Sequence, residues 1–215
     1  MKITVNDILA MNPCEEYRRD NGAQIRALWA GRSSLTATEI AALDIRATDR
    51  AWALVRLIPI RTRVAWACDC GERVLPIWER RYPNDRRPHE AIRVARAWIR
   101  GEATILEVRA TTAAAYASAD DAYAVADASS ATDAYADAYA TASAATAAAA
   151  TAYATTAADD ADADAAYATD SVSAAYAAYA SAVATTTDVD ADAARYRSWK
   201  WSLAQLVEYV DGRLP

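Results

Sequence analysis

The residues of this chain that could do chemistry are few. There is one histidine, His89, and there are three cysteines, Cys14, Cys68 and Cys70. Cys68 and Cys70 are separated by a single residue, so on a helix their sulfurs point about 200° apart and cannot clasp one ion. A zinc site needs four N, S or O ligands, and the remaining soft donors do not complete one. The expected reading is a pair of buried thiols packed against Trp66 and Trp78. His89 follows Pro88, where a helix would open, and reads as a capping-region or solvent-facing residue. No Ser-His-Asp or Cys-His set with an independent partner can be assembled. These observations argue against an enzyme, and no catalytic residue, metal ligand or cofactor is expected.

Aspartates are the more informative acids. Asp133 and Asp137, and Asp160 and Asp164, lie four apart, which on a helix puts each pair on one face. Such pairs could hold a divalent cation or act as acid and base, but the run A-D-D-A-D-A-D at 158–164 lacks the glycine and later glutamate of a calcium loop. Two readings remain. One is a solvated acidic face that keeps an alanine-rich segment soluble. The other is a surface for a basic protein, with tyrosines supplying rigid contact area. The residues such a surface would use are Asp120, Asp121, Asp127, Asp133, Tyr135, Asp137, Tyr139, Tyr153, Asp160, Asp164 and Tyr167.

Charge is partitioned along the chain. The total is −6, but the segment 1–110 carries a net +5, the segment 111–194 carries only Asp with no Lys, Arg or Glu, and the segment 195–215 carries +2. A field of that sign steers basic partners and repels nucleic acid. The arginines of the first half are interleaved with acids and show no nucleic-acid-reading motif. No secretory leader opens the chain and the cysteine number is odd, so a reducing cytoplasm is expected. No stretch reaches the roughly 18 apolar residues of a membrane span.

The elements that would position these residues are helical. Thr4 can cap a helix through Ile8 that stops at Asn12-Pro13, and a second run covers Cys14 to Trp29 with Gly31 beyond it. Thr36 and Glu39 have capping-box spacing. Thr48 opens a run with Trp52, Leu54, Val55 and Ile58 at helical intervals, closed by Pro59. Ile60 to Arg81 is a further run, with Pro76 inside it as a point of kinking. Pro88 opens a helix that Gly101 stops. Residues 1–101 therefore read as five or six short helices packed by tryptophans.

From Ala110 to Ala194 nearly every second residue is alanine and there is no Gly or Pro, which favours helix. The alternation in A-Y-A-V-A-D-A-S keeps β structure for 111–194 as an alternative. Written in sevens from 116, Ala fills the second and the fourth place in nine of twelve rows each, a pattern of helices approaching along alanine seams. A single straight helix would extend about 130 Å and bury little. Folding back at 129–133, 159–160 and 186–188 gives four helices of about 25 residues each between about 103 and 211. The closing stretch should pack Trp199, Leu203, Leu206 and Val210 back on that bundle.

N-P-C at 12–14, D-R-A-W-A-L at 49–54, A-C-D-C-G-E-R-V-L-P-I-W-E-R-R-Y-P-N-D-R-R-P-H-E-A-I at 67–92 and R-A-W-I-R-G-E at 96–102 resemble the immunity protein five-like domain family. The resemblance covers about residues 1–105 and leads into an alanine-rich tail. It implies an α-helical antidote from a toxin–immunity system. The family's tails carry Trp and Arg, which Thr, Ser and Tyr replace here, leaving the acids unbalanced. Of the residues matching its pattern, Asp69, Glu72, Glu79, Tyr82, Asp85, Arg87 and Arg96 read as an intramolecular network. Arg87 and Arg96 would each fork onto a carboxylate such as Glu79 or Asp85 and fix the loop at 82–88.

The expected molecule is all-α, with a helical domain at 1–105 and an acidic, alanine-rich helical region with a bulky capping helix at 106–215. The expected function is non-enzymatic inhibition of a basic toxin or nucleic-acid-handling protein, without direct contact to nucleic acid or membrane. The alternative is a structural protein that self-assembles into homo-oligomers through alanine faces. Ice binding, suggested by the Thr and Ala content, fails because the threonines keep no constant interval.

Overall fold

Local capping signals dictate much of the backbone. The computed structural model describes residues 1–127 and 191–214. Among them are the helices α1 (Val5–Ala10), α2 (Glu15–Trp29), α3 (Ala37–Ala41), α4 (Ala47–Val55), α5 (Ile60–Arg81), α6 (Arg87–Ile99), α7 (Ile105–Asp127) and α8 (Ala191–Val210). The described residues contain no strand beyond one antiparallel bridge, Ile3 to Leu35. The chain is all-α, and residues 111–127 and 191–194 are helical, so the β alternative fails there. The rest of that segment, with the reversals at 129–133, 159–160 and 186–188, lies outside the described residues.

Two compact units are formed, Met1–Ile58 with Leu203–Pro215, and Pro59–Ser202. The sequence division at 105 follows composition, whereas these units follow packing.

In the first unit, Thr4 and Asp7 form a capping box at α1, and Thr36 and Glu39 form one at α3. Each satisfies two backbone donors that a helix start leaves orphaned. Ile3 and Leu35 exchange backbone bonds of 2.8 Å, and the Trp29 indole N–H donates to the Ile3 carbonyl at 3.3 Å. α2 is not one continuous helix as expected. Asp20, Asn21 and Gly22 take φ of 50°, 56° and 74°, which break it in the middle. Asp, Asn and Gly are the residues that tolerate left-handed backbone, so D-N-G was itself a turn signal. A Cβ at Gly22 would lie 2.7 Å from Leu9 Cδ2, so that side chain would have to shift to admit one.

The closing stretch buries Leu203, Leu206, Val207 and Val210, and Leu203–Pro215 forms one compact unit with Met1–Ile58. Most of the bundle that this stretch is expected to pack on lies outside the described residues. The Met1 ammonium lies 3.6 Å from Asp211, and Gly212 and Arg213 close α8 with bonds to the Tyr209 and Glu208 carbonyls.

In the second unit α6 packs between α5 and α7. α5 runs as one helix through Pro76 to Arg81. Val64, Cys68, Leu75, Ile92, Ala95, Trp98, Val108 and Ala115 form its core, with Trp66 and Trp78 each 1% exposed beside them. Burial of such aromatic area is the main stabilising term. α6 ends in a Schellman motif. The Gly101 and Glu102 N–H groups donate to the Trp98 and Ala97 carbonyls, both at 2.9 Å, with Gly101 at φ 77°.

α7 is docked by a seam of Val108, Thr112, Ala115, Ala119 and Ala122, all buried, at coiled-coil intervals of four and three. Of the two expected alanine stripes, the one containing Ala119 faces the core, while the one containing Ala117 and Ala124 faces solvent. The buried polar members stay paired by bonding to the helix's own backbone. Thr112 and Ser118 donate their hydroxyls to carbonyls one turn back at 2.8 and 2.7 Å.

Candidate functional site

Two arginines organise the charged surface of the second unit. Asp69 and Glu72 stand three apart on α5 and so share a face, and Arg96 of α6 reaches both. Its Nε and Nη2 donate to the two Glu72 carboxylate oxygens at 2.9 Å each, and Nη2 also donates to Asp69 Oδ1. Burial works against the Arg96 cation, but the bonds to Glu72 and Asp69 outweigh it and its pKa is raised.

Arg87 forks onto Asp85, with Nε donating at 3.0 and 3.1 Å and Nη2 at 2.7 Å. Its backbone N–H adds a bond to Asp85 at 3.0 Å. The guanidinium holds the Asp85 carboxyl below its usual range. The Trp78 indole donates to the Asp85 carbonyl at 2.9 Å, and the Tyr82 ring packs against Trp78 at a tilt of 41° with ring centroids 4.6 Å apart. The expected loop-fixing network is therefore present for Arg87. Arg96 takes Asp69 and Glu72, while Glu79 makes no ion pair among the described residues and instead lines a cleft of about 460 Å³ with Glu72, His89, Arg93 and Arg96.

The acids of the candidate partner surface divide by position. Asp120 is exposed on α7. Asp121 is 71% exposed and accepts from Arg87 Nη2 at 2.9 Å, a pairing the sequence reading missed because the partners are distant in the chain. Asp127 is the last residue of α7. Asp133, Tyr135, Asp137, Tyr139, Tyr153, Asp160, Asp164 and Tyr167 lie outside the described residues. Also overlooked was a third capping box, whose T-x-x-E signal is plain in the sequence. The Thr104 N–H and hydroxyl donate to Glu107 at 2.7 and 2.8 Å, and the Glu107 N–H returns to Thr104 at 3.4 Å. It starts the acidic helix.

The soft residues behave as packing. Cys68 and Cys70 are buried free thiols and Cys14 is an exposed one. Burial disfavours a thiolate. It pushes the Cys68 thiol up to about 12 and raises Cys70 as well. No group of three or more His, Cys, Asp or Glu that could hold a metal ion occurs among the described residues. His89 is half-buried in the first turn of α6. No helix among the described residues is long and apolar enough to cross a membrane.

These features define a helical, arginine-braced scaffold that leads directly into an acidic alanine-rich helix. The Imm-5 like putative immunity protein family matches the chain over residues 55–182, and the chain belongs to that family. The match starts later and ends later than the resemblance over 1–105, falling mainly on the second unit and extending through most of the alanine-rich tail. No curated protein and no solved structure matches the chain.

Proposed function

We propose that this immunity-family chain is a non-catalytic antidote acting in the cytoplasm, and that it neutralises a basic toxin or nucleic-acid-handling protein by binding it. The scaffold is the region up to about residue 105, and the acidic region after it supplies the contact surface. The observation that carries the reading is the charge of the family-matched tail. From Thr111 to Ala194 there is no lysine or arginine, and Asp120 stands exposed on the first described helix of that segment. Uncompensated carboxylates accelerate encounter with a cationic surface and disfavour nucleic acid itself.

Capture of a partner by the tagged full chain, after nuclease treatment and at two salt concentrations, tests this directly. Changing Asp120, Asp133, Asp137, Asp160 and Asp164 together to Asn should weaken binding and flatten its salt dependence. Unchanged affinity at low salt would remove the acidic surface from the account.

The self-assembly reading keeps one supporting observation. Leu106 is 70% exposed on α7, and Ala110, Ala113 and Ala117 continue the same exposed stripe. A monodisperse monomer in sedimentation at high concentration would dismiss it.

A further inference from the structure

The first unit holds a half-open pocket of about 120 Å³ that the charged surface does not involve. All its lining residues fall between Ile8 and Ala53, ahead of the family-matched stretch that begins at residue 55. Its floor is apolar and deeply buried, formed by Ile25, Trp29, Ile40 and Ala53, all at most 7% exposed. Half-buried Leu43 and Trp52 stand at its rim. Interiors are ordinarily packed without voids of this size, and an apolar cavity of about 150 Å³ is enough to take up benzene.

Polarity enters the wall at one place. The Tyr17 hydroxyl donates to Asp49 Oδ2 at 2.9 Å, and Arg46 Nε donates to the same oxygen at 2.9 Å. Burial, with help from the Asp49 bond, pushes the Tyr17 hydroxyl up to about 12, so it stays a proton donor at neutral pH. Both bonds use Oδ2, which leaves Oδ1 as an acceptor without a partner among the described residues.

We propose that this cavity is a binding site for a monocyclic aromatic molecule bearing one hydrogen-bond donor, of the phenol class, with its ring against Ile25, Trp29 and Ile40 and its donor on Asp49. The volume is that of a single ring. A charged acceptor at the edge of an apolar pocket selects a donor-bearing guest, because a ring without a donor displaces water from the carboxylate and puts no hydrogen bond in its place.

Calorimetric titration of the full chain with phenol and with benzene, alongside indole N–H resonances of the tryptophans, tests the assignment. Phenol should bind saturably at one site and about tenfold more tightly than benzene, the worth of one hydrogen bond to a charged acceptor. Filling the space with Ala53→Leu or, at the rim, Leu43→Phe should abolish uptake of both probes while helicity by circular dichroism is retained. Tyr17→Phe should keep the preference for phenol, and Tyr17→Phe combined with Asp49→Ala should reduce it to about unity. Absence of saturable phenol binding, equal affinity for the two probes, or undiminished binding in a folded cavity-filled variant would each overturn the proposal.

Discussion

Arg87, in the first turn of α6, holds Asp121 of α7 at 2.9 Å while the same guanidinium forks onto Asp85. One side chain thereby ties the loop before α6 to the first acidic helix of the tail. The two pairs differ in worth. Asp85 is 22% exposed and bound at several points, whereas Asp121 is 71% exposed and meets a single nitrogen. Solvent screening leaves little in the second pair. Asp121→Asn should cost no more than about 0.5 kcal/mol, and Arg87→Ala about 1 kcal/mol because the Asp85 fork goes with it. Urea denaturation of both variants measures the difference.

Arg96→Ala should be the more damaging arginine change. It takes from Asp69 and Glu72, three apart on α5, the guanidinium that both share, and Asp69 is only 20% exposed. Removing one partner of a partly buried network costs about 2 kcal/mol here, below the roughly 3–5 kcal/mol of fully buried pairs. Reversal of part of the loss on adding Asp69→Asn, read in a double-mutant cycle, checks that like-charge repulsion is the cause.

Stability should fall in acid. Asp7, Glu39 and Glu107 are held below their usual values first by the N–H of their capping threonines, and Asp85 by Arg87. Depressed folded-state values mean that the unfolded chain binds protons more readily. The contribution is therefore complete above the ordinary values of 3.8 and 4.5 and disappears as pH falls through the lower folded values. Thermal melts from neutral pH down into the acid range below those ordinary values should show a declining Tm. Replacing Thr4, Thr36 and Thr104 by Val removes only the hydroxyl's share of those bonds and keeps the N–H, so the decline should become slightly shallower.

Thiol reactivity should separate Cys14 from the other two. Cys68 and Cys70 are fully buried, and Cys68 is pushed up to about 12, so neither presents a thiolate at neutral pH. A disulfide reagent should modify one thiol in the native chain and three after denaturation. Rapid native modification of all three would show that the α5 core opens readily.

Trp78→Phe isolates a hydrogen bond. It retains most of the buried ring but leaves the Asp85 carbonyl without its indole donor at 2.9 Å. The expected cost is about 1–2 kcal/mol, read from thermal denaturation, with the loop at 82–86 exchanging amide hydrogens faster.

What the sequence by itself determined is local. T-x-x-D at α1 and T-x-x-E at α3 and α7 mark helix starts, and Gly101 and Gly212 mark stops at φ of 77° and 69°. These signals are legible because a cap satisfies backbone groups within four residues and a left-handed φ is the property of one residue. The split of charge into +5, −13 and +2 is likewise a property of the chain alone. Tertiary structure decided what depends on approach between distant residues: that Arg96 takes Glu72 and Asp69 on another helix, that Arg87 adds Asp121, that Ala119 and not Ala117 is buried, and that Leu203–Pro215 joins Met1–Ile58. The Trp66 indole donates to the Ser202 carbonyl at 3.2 Å across 136 positions. Several acids compete for each arginine, and every third or fourth alanine is an equivalent seam, so such choices are settled by the geometry of the packed helices and are not encoded in any one segment.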